Sequence, residues 1–307
     1  MYFQRKIKKK LKKTHHHNHR IPIKKRICIS IVIIMEVSIV SMRPAIGQKE
    51  ENVATMKDFI QKTSADLIVF GEMTLTGYPI KDEIRSLAEP KNGKSITALQ
   101  QLAAKHQKYI VFGMPLQDET VKGLIHNAAV LIHPDKTVDV YHKWFLPTFG
   151  PFEEKIFFDE GETLPVFDTT FGKIGICICY DIYFPEITKA FSLQGADIII
   201  CISASPSVTR PYFETILPAR AIENTVFMIY ANIVGNQENL VFWGGSQAFD
   251  PFGKQLVKAS YFEESIVSCT LDPTLIKQAR ANRPVIRDIR SDVYTDLYQF
   301  SRFHSKQ

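Results

Sequence analysis

The stretch IGICICYDIYFPEITKAFSLQGADIIICIS, residues 174–203, decides the fold class of this chain. It begins with an apolar run over 174–179, whose length and β-branched content favour a strand. A turn follows, and Pro185 stands where a helix over 185–194 would begin. A second apolar run over 197–202 predicts another strand. A strand, a helix and a strand in succession are typical of an α/β protein.

The rest of the chain repeats this alternation. Further strands are predicted at 36–40, 67–70, 109–112, 128–132, 226–230 and 266–269, and further helices near 49–62, 95–107, 212–224 and 273–281. Several of the strands are apolar throughout, which suits sheets that are covered on both faces. Only a loop separates the strands at 109–112 and 128–132, so we expect mixed rather than purely parallel sheets.

Length and composition limit the class of protein. The chain has 307 residues, of which 45% are hydrophobic and 23% are charged, a balance that excludes global disorder. No apolar run reaches the roughly 18 residues that a membrane span requires. The cysteines number five and are scattered, so they favour a reducing, cytoplasmic compartment over a disulfide framework. We expect one domain over residues 35–307, because the composition does not change there.

The net charge of +6 belongs to one end of the chain. Residues 1–34 hold eleven Lys and Arg and no acid, whereas residues 35–307 hold 27 bases against 32 acids. We expect the first segment to be a disordered extension that is not needed for function, with Met35 as an alternative start. A nucleic-acid or membrane-surface arm and a signal peptide are the alternatives. Its histidines do not form a preorganised metal site: His15, His16, His17 and His19.

A glutamate stands just past a predicted strand in FGEMTLTGY, residues 70–78. The ends of strands, followed by loops that contain glycine, are where α/β proteins place functional groups. Glu72 is therefore a candidate catalytic residue, although a solvated carboxylate at a strand end would give the same pattern.

A lysine lies among aromatic residues in YHKWFLPTFGPFEEKIFF, residues 141–158. Lysine is rare in apolar surroundings unless a carboxylate accompanies it, which makes Lys143 a candidate for a charged role in a site. The alternative is a side chain that reaches past its neighbours to the surface.

Two cysteines, Cys177 and Cys179, close the strand at 174–179. They point to the same face, but Cys179 lies at the strand-to-helix turn, where a nucleophile is exposed and close to backbone N–H groups. We interpret Cys179 as a reactive thiol and Cys177 as a core residue. We expect no metal site here, because no second Cys or His pair has suitable spacing.

Together these segments resemble the nitrilase superfamily, the carbon–nitrogen hydrolases with a Glu-Lys-Cys triad, over roughly residues 35–296. The resemblance implies that Glu72, Lys143 and Cys179 are the catalytic residues. Supporting stretches are HNAAVLIHPD, LQGADIIICISASP, ARAIENTVFMIYAN and GGSQAFDPFG. One departure is Gly71, at a position where the family commonly has proline.

The resemblance also carries expectations for structure. It implies a four-layer α-β-β-α sandwich with mixed sheets, and a homodimer or a higher homo-oligomer. A second glutamate follows the lysine motif of the family, and the match here is Glu154, with Glu153 as the less favoured register. The resemblance implies that Glu154 belongs to the catalytic site, where it would either orient Lys143 or help to place the hydrolytic water.

The function implied by the resemblance is hydrolysis of a non-peptide carbon–nitrogen bond in a small-molecule amide, with no metal and no organic cofactor. The tripeptide Cys179-Tyr180-Asp181 resembles amidase-type branches, including those that act on ω-amides of dicarboxylic acids. A nitrilase, an N-carbamoyl amidohydrolase and a non-catalytic binding protein on the same scaffold are the alternatives. We expect no membrane or nucleic-acid partner for residues 35–307.

Overall fold

The structure, a computed structural model, describes residues 34–304. The extension predicted over residues 1–34 therefore lies, apart from Ile34, outside the described residues. The strands are β1 (Met35–Ser41), β2 (Leu67–Val69), β3 (Tyr109–Gln117), β4 (Ile125–Ile132), β5 (Val138–His142), β6 (Val166–Thr169), β7 (Gly172–Ile178), β8 (Ile198–Ser203), β9 (Phe227–Asn232), β10 (Val234–Gln237), β11 (Leu240–Trp243), β12 (Gln247–Phe249), β13 (Gln255–Lys258) and β14 (Ser265–Leu271). The α-helices are α1 (Lys49–Lys62), α2 (Ile84–Leu87), α3 (Lys94–His106), α4 (Glu154–Phe157), α5 (Pro185–Leu193), α6 (Arg210–Asn224), α7 (Thr274–Asn282) and α8 (Ser291–His304).

Most of the strands form two six-stranded sheets, and β10 and β11 pair as a separate hairpin. The first sheet has the order β14-β1-β2-β3-β4-β5, and the second has the order β13-β12-β9-β8-β7-β6. Strands β1, β2 and β3 are parallel, as are β7, β8 and β9, because helices return the chain between them. The flanking strands are antiparallel, so both sheets are mixed, as the sequence predicts.

The two sheets pack face to face and are covered by helices on their outer faces. Along β2, Leu67 and Val69 face the core shared with the second sheet, whereas Ile68 packs with α1 and α3. Successive strand residues point to opposite faces, and both faces are covered here, so whole strands are apolar. Phe191 of α5 and Leu217 of α6 pack on the second sheet. The result is the expected four-layer α-β-β-α sandwich.

The structure contains every strand and helix that the sequence predicts, and it adds others. The strands that were not predicted are β5, β6 and β10 to β13, which are short and, for the most part, lack an apolar run. Within residues 34–304, no helix combines the length and the apolar character needed to cross a membrane.

Candidate active site

The candidate residues lie where strands of the two sheets end. Glu72 follows β2, Lys143 follows β5 and Cys179 follows β7. Glu72 connects the sheets, because its backbone N–H donates to the carbonyl of Ser203, the last residue of β8, at 3.2 Å. The carboxyl ends of parallel strands are where open α/β sheets carry their binding sites.

The turn after β7 presents Cys179 in a strained backbone conformation. Its φ is +47°, in the left-handed region that residues with a side chain rarely adopt and that is often found at functional sites. The carboxylate of Asp181 stabilises the turn, because it accepts hydrogen bonds from the N–H of Ile178 at 3.0 Å, the N–H of Phe145 at 2.9 Å and the hydroxyl of Tyr141 at 2.8 Å. Burial nevertheless raises the pKa of Asp181 to about 6.

The two cysteines at the end of this strand have different surroundings. Cys177 is fully buried in the core, whereas Cys179 is 8% exposed and lines a cavity of about 210 Å³. Burial, followed by the nearby charge of Glu72, raises the pKa of the Cys179 thiol well above its usual value, and Lys143 opposes this only in part. The resting thiol is therefore protonated, and it needs a base before it can act as a nucleophile.

Lys143 is fully buried between two carboxylates. Its Nζ lies 2.8 Å from Oε1 of Glu72 and 2.7 Å from Oε1 of Glu154. Burial alone would lower the pKa of Lys143, but the charges of Glu154 and Glu72 outweigh burial and raise the pKa, so the side chain is an ammonium. Neither Lys143 nor Glu72 reaches solvent, which excludes the alternatives of a surface lysine and a solvated strand-end carboxylate.

Neighbouring polar groups hold both carboxylates in place. The side-chain amide of Asn127 donates to Oε1 of Glu72 at 2.7 Å and to Oε2 of Glu154 at 3.4 Å. The backbone N–H of Ala204 donates to Oε2 of Glu72 at 2.7 Å, and the hydroxyl of Tyr78 donates to Glu154 at 2.6 Å. Burial, followed by the charge of Glu72, raises the pKa of Glu154. The carboxylates are thus fixed before any ligand arrives.

Two glycines allow the loop that carries Glu72 to approach its neighbours closely. A β-carbon on Gly113 would lie 2.6 Å from Cα of Glu72, and one on Gly71 would lie 2.7 Å from a methyl carbon of Ile233. Both distances are too short for a side chain, so the backbone needs glycine at these positions. A proline at position 71, which the resemblance implies for the family, would place its β-carbon in this crowded space.

The structure brings together the residues that the sequence singled out. Glu72 and Glu154 both contact Lys143, and Glu154 lines the same cavity as Cys179. Glu153 is exposed to solvent, which supports the register that assigns Glu154. In the described part of the chain, no group of three or more His, Cys, Asp or Glu side chains is arranged to hold a metal ion.

Sequence reasoning missed three residues that support the site. Tyr78 and Asp181 lie inside the motifs that contain Glu72 and Cys179, and Asn127 lies in the supporting stretch HNAAVLIHPD. Their position inside these motifs was the available signal, but the groups that they bind could not be read from it.

Comparison with known proteins identifies the family. The family model for carbon-nitrogen hydrolases matches residues 36–281. A nitrilase of Pyrococcus abyssi is 32% identical over 271 residues, which cover 85% of this chain and 99% of that protein. An (R)-stereoselective amidase of a Pseudomonas species is 30% identical over 261 residues, which cover 83% of this chain and 92% of that protein.

A solved structure gives the same result for the fold. The crystal structure of a carbon-nitrogen hydrolase from Helicobacter pylori G27 superposes with a TM-score of 0.80 at 25% identity, covering 87% of this chain and 99% of that chain. The chain therefore belongs to the carbon–nitrogen hydrolase family, the nitrilase superfamily whose motifs its sequence resembles.

Proposed function

We propose that the protein is a cysteine-dependent amidase that hydrolyses the carbon–nitrogen bond of a small-molecule amide through a thioester. The observation that carries this proposal is the buried ammonium of Lys143, held between Glu72 and Glu154 beside the cavity that Cys179 lines. Burying three charged groups costs free energy, and a binding protein on the same scaffold would have no use for them.

The proposed acylation begins with a proton transfer. Glu72 takes the proton of the Cys179 thiol, and the sulfur attacks the carbonyl carbon of the amide. The carbonyl oxygen becomes an oxyanion, which the ammonium of Lys143 and the backbone N–H of Tyr180 stabilise, each by about 3 kcal/mol. Protonated Glu72 then gives its proton to the leaving nitrogen. The C–N bond breaks, ammonia or an amine departs, and a thioester remains on Cys179.

The proposed deacylation repeats these roles with water. Glu72 takes a proton from the water as its oxygen attacks the thioester carbonyl, and Lys143 stabilises the second oxyanion. The C–S bond then breaks, the sulfur recovers a proton from Glu72, and a carboxylic acid leaves. Glu154 is a positioning residue in this scheme, because it holds Nζ of Lys143 at 2.7 Å and does not itself exchange a proton with substrate.

The chemistry favours amides over nitriles as substrates. An amide forms its tetrahedral intermediate directly and needs one proton for the leaving nitrogen. A nitrile must first become a thioimidate, gain protons at nitrogen and take up water, so it demands more of the single Glu72–Lys143 pair. Because the Pyrococcus relative is named a nitrilase, a nitrilase is the second candidate, and an N-carbamoyl amidohydrolase would use the same residues.

Matched substrates test this proposal. The same acyl group is supplied as amide and as nitrile, for example propionamide with propionitrile, and ammonia release gives kcat/KM for each. We expect the amide to give the higher value, and hydroxylamine to trap the acyl group as a hydroxamate. A higher value for the nitrile would identify a nitrilase. A folded protein that releases ammonia from no member of an amide, nitrile and carbamoyl panel would be a binding protein instead.

A further inference from the structure

The cavity beside Cys179 is lined mainly by aromatic rings. It has a volume of about 210 Å³, and the aromatic side chains that line it, besides Tyr78, are Phe149, Phe152, Tyr180, Tyr183, Tyr212 and Phe213. Several of these rings contact each other, with centroids 5.2 Å apart for Phe149 and Tyr180 and 5.5 Å apart for Tyr183 and Phe213. Aromatic rings favour such tilted and edge-to-face contacts, so a further ring bound among them would find suitable partners.

Lys143 acts on the carbonyl oxygen in the proposed reaction but does not line this cavity, and the lining itself offers no cation to the far end of a substrate. Its other residues are Pro147, Ser205, Pro206 and Thr209, together with Cys179 and Glu154. Glu154 is the one charged side chain among these described residues, and it is negative. In the neighbouring surface cavity, Lys81 is already paired with Glu238 at 3.2 Å. A substrate carboxylate in the cavity would therefore lose its hydration without gaining an ion pair, which is costly.

The size of the cavity fits an aromatic acyl group. An apolar cavity of roughly 150 Å³ can hold a benzene molecule. The cavity here, at about 210 Å³, leaves room for a carboxamide beside Cys179 as well as for the ring. At its mouth, Phe149 and Tyr212 are 52% and 60% exposed, so apolar surface is available to a substrate that enters.

We propose that this cavity is the acyl-binding pocket and that it selects neutral amides with an aromatic or similarly bulky apolar acyl group. The inference rests on the proposed amidase function and narrows it. It also disfavours the ω-amides of dicarboxylic acids that the tripeptide Cys179-Tyr180-Asp181 suggests, because the one free carboxylate of such an amide would meet aromatic rings and Glu154.

Four amides separate the effects of charge and shape. Succinamate and 4-oxopentanamide have similar shapes, but succinamate ends in a carboxylate and 4-oxopentanamide ends in a neutral acetyl group. Phenylacetamide carries an aromatic ring, whereas pentanamide carries an alkyl chain. We expect kcat/KM for phenylacetamide to exceed that for succinamate by about 100-fold, and 4-oxopentanamide to exceed succinamate by about 10-fold. We also expect phenylacetamide to exceed pentanamide. Equal or better turnover of succinamate would overturn the inference while leaving the amidase function intact.

Binding to an inactive variant keeps the two proposals distinguishable. Calorimetry on Cys179→Ala measures affinity without turnover, and we expect phenylacetamide to bind more tightly than succinamate. If no amide is hydrolysed by the parent protein yet this order of affinity holds, the proposed reaction fails and the pocket assignment stands. If succinamate binds as tightly as phenylacetamide, the pocket assignment fails.

A charge introduced at the mouth tests the location of the pocket. Tyr212→Arg places a cation there, and we expect it to raise kcat/KM for succinamate by about 10-fold and to lower it for phenylacetamide. Phe300→Arg is the matched control, because Phe300 lies on α8, is 61% exposed and does not line the cavity. We expect the Phe300→Arg control to keep the preference of the parent protein for phenylacetamide over succinamate. If Tyr212→Arg also kept it, the cavity would not be the acyl site.

Discussion

Glu72, Lys143 and Glu154 place one positive and two negative groups side by side, with Glu72 and Lys143 fully buried and Glu154 at the edge of the cavity. Such a cluster is tolerated when each member is fully hydrogen-bonded, and Glu72 accepts hydrogen bonds from Lys143, Asn127 and Ala204. In the proposed reaction, transfer of the thiol proton to Glu72 removes one negative charge from the cluster, and Lys143 is then free to stabilise the oxyanion. The cluster would therefore stabilise the transition state of the proposed reaction more than it would stabilise a thiolate in the resting protein.

Replacing the two cysteines separately tests which thiol reacts. We expect Cys179→Ala to lower kcat by about 10⁴-fold or more, since Cys179 is the thiol that lines the cavity and forms the proposed thioester. Cys177→Ala should keep kcat, because the Cys177 side chain is buried in the core. Labelling with iodoacetamide and peptide mass mapping provide an independent measurement. Modification of Cys177 with Cys179 unmodified would contradict the assignment.

Replacing the buried lysine tests its role at the oxyanion. We expect Lys143→Ala to lower kcat by about 10²–10³-fold with a smaller change in KM, because the contact strengthens in the transition state. Glu72→Gln should also inactivate, since an amide cannot accept and return the proton. Lys155→Ala is the control, because Lys155 is exposed and pairs with Glu160 at the surface. A Lys143 variant altered in KM alone would assign this residue to substrate binding instead.

Sequence motifs predicted the charged groups of the site but not their supports. Lys143 stands out because a charge among aromatic neighbours is unusual, and Glu72 because it follows a predicted strand, whereas Glu154 was given by the family resemblance. Asn127 and Tyr78 are ordinary polar residues in sequence. Asn127 is 55 positions from Glu72, and Tyr78 is 76 positions from Glu154, so only the folded chain shows these contacts.

At the scale of elements, strands covered on both faces were predictable, whereas of the four edge strands only β14 was predicted. Strands such as β2 and β8 read as continuous apolar runs, because each face packs against another layer. The strands β5, β6 and β13 lie at the edges of their sheets, are partly exposed and carry polar residues. The sequence of β5 therefore gave no strand signal, although this strand positions Lys143.

Two neighbouring strands of the first sheet carry stacked histidines. His126 on β4 and His142 on β5 have ring centroids 3.9 Å apart, with an angle of 3° between the rings. Burial, together with the charge of His126, lowers the pKa of His142 from 6.5 to about 4, while Asp118 opposes the shift and Lys91 adds to it. Between pH 6.5 and 4, the unfolded chain therefore binds a proton that the folded protein does not, and stability falls as the pH falls.

Replacing the half-buried histidine by phenylalanine tests this pH dependence. His142→Phe keeps a flat ring against His126 but cannot bind a proton. We expect its free energy of unfolding to fall less than that of the parent between pH 6.5 and 4, by on the order of 1 kcal/mol after solvent screening. The raised pKa of Asp181 makes the folded protein more stable as the pH falls, which is the opposite effect. Asp181 is present in both proteins, so its contribution cancels in the comparison. Parallel stability curves from denaturant titrations would contradict the prediction.

At the scale of the whole molecule, the excess of basic residues is concentrated at one end of the sequence. Residues 1–34 hold eleven bases and no acid, whereas the matched family region spans 36–281. Strand β1 pairs with β14 through every residue from Met35 to Ser41, so the register of the first sheet is set without an earlier residue. The fold class could be predicted because most of the body repeats apolar strands and helices, whereas the tail has no such pattern.

We therefore predict that a protein beginning at Met35 keeps the fold and the activity of the full chain. Its Tm and its kcat/KM for an amide should match those of the full chain, because β1 and the candidate site use residues after the basic segment. Affinity for nucleic acid or for anionic vesicles, if the full chain shows any, should be lost on truncation and should fall steeply with salt. A large drop in Tm or in kcat/KM would instead make residues 1–34 part of the domain or of the site.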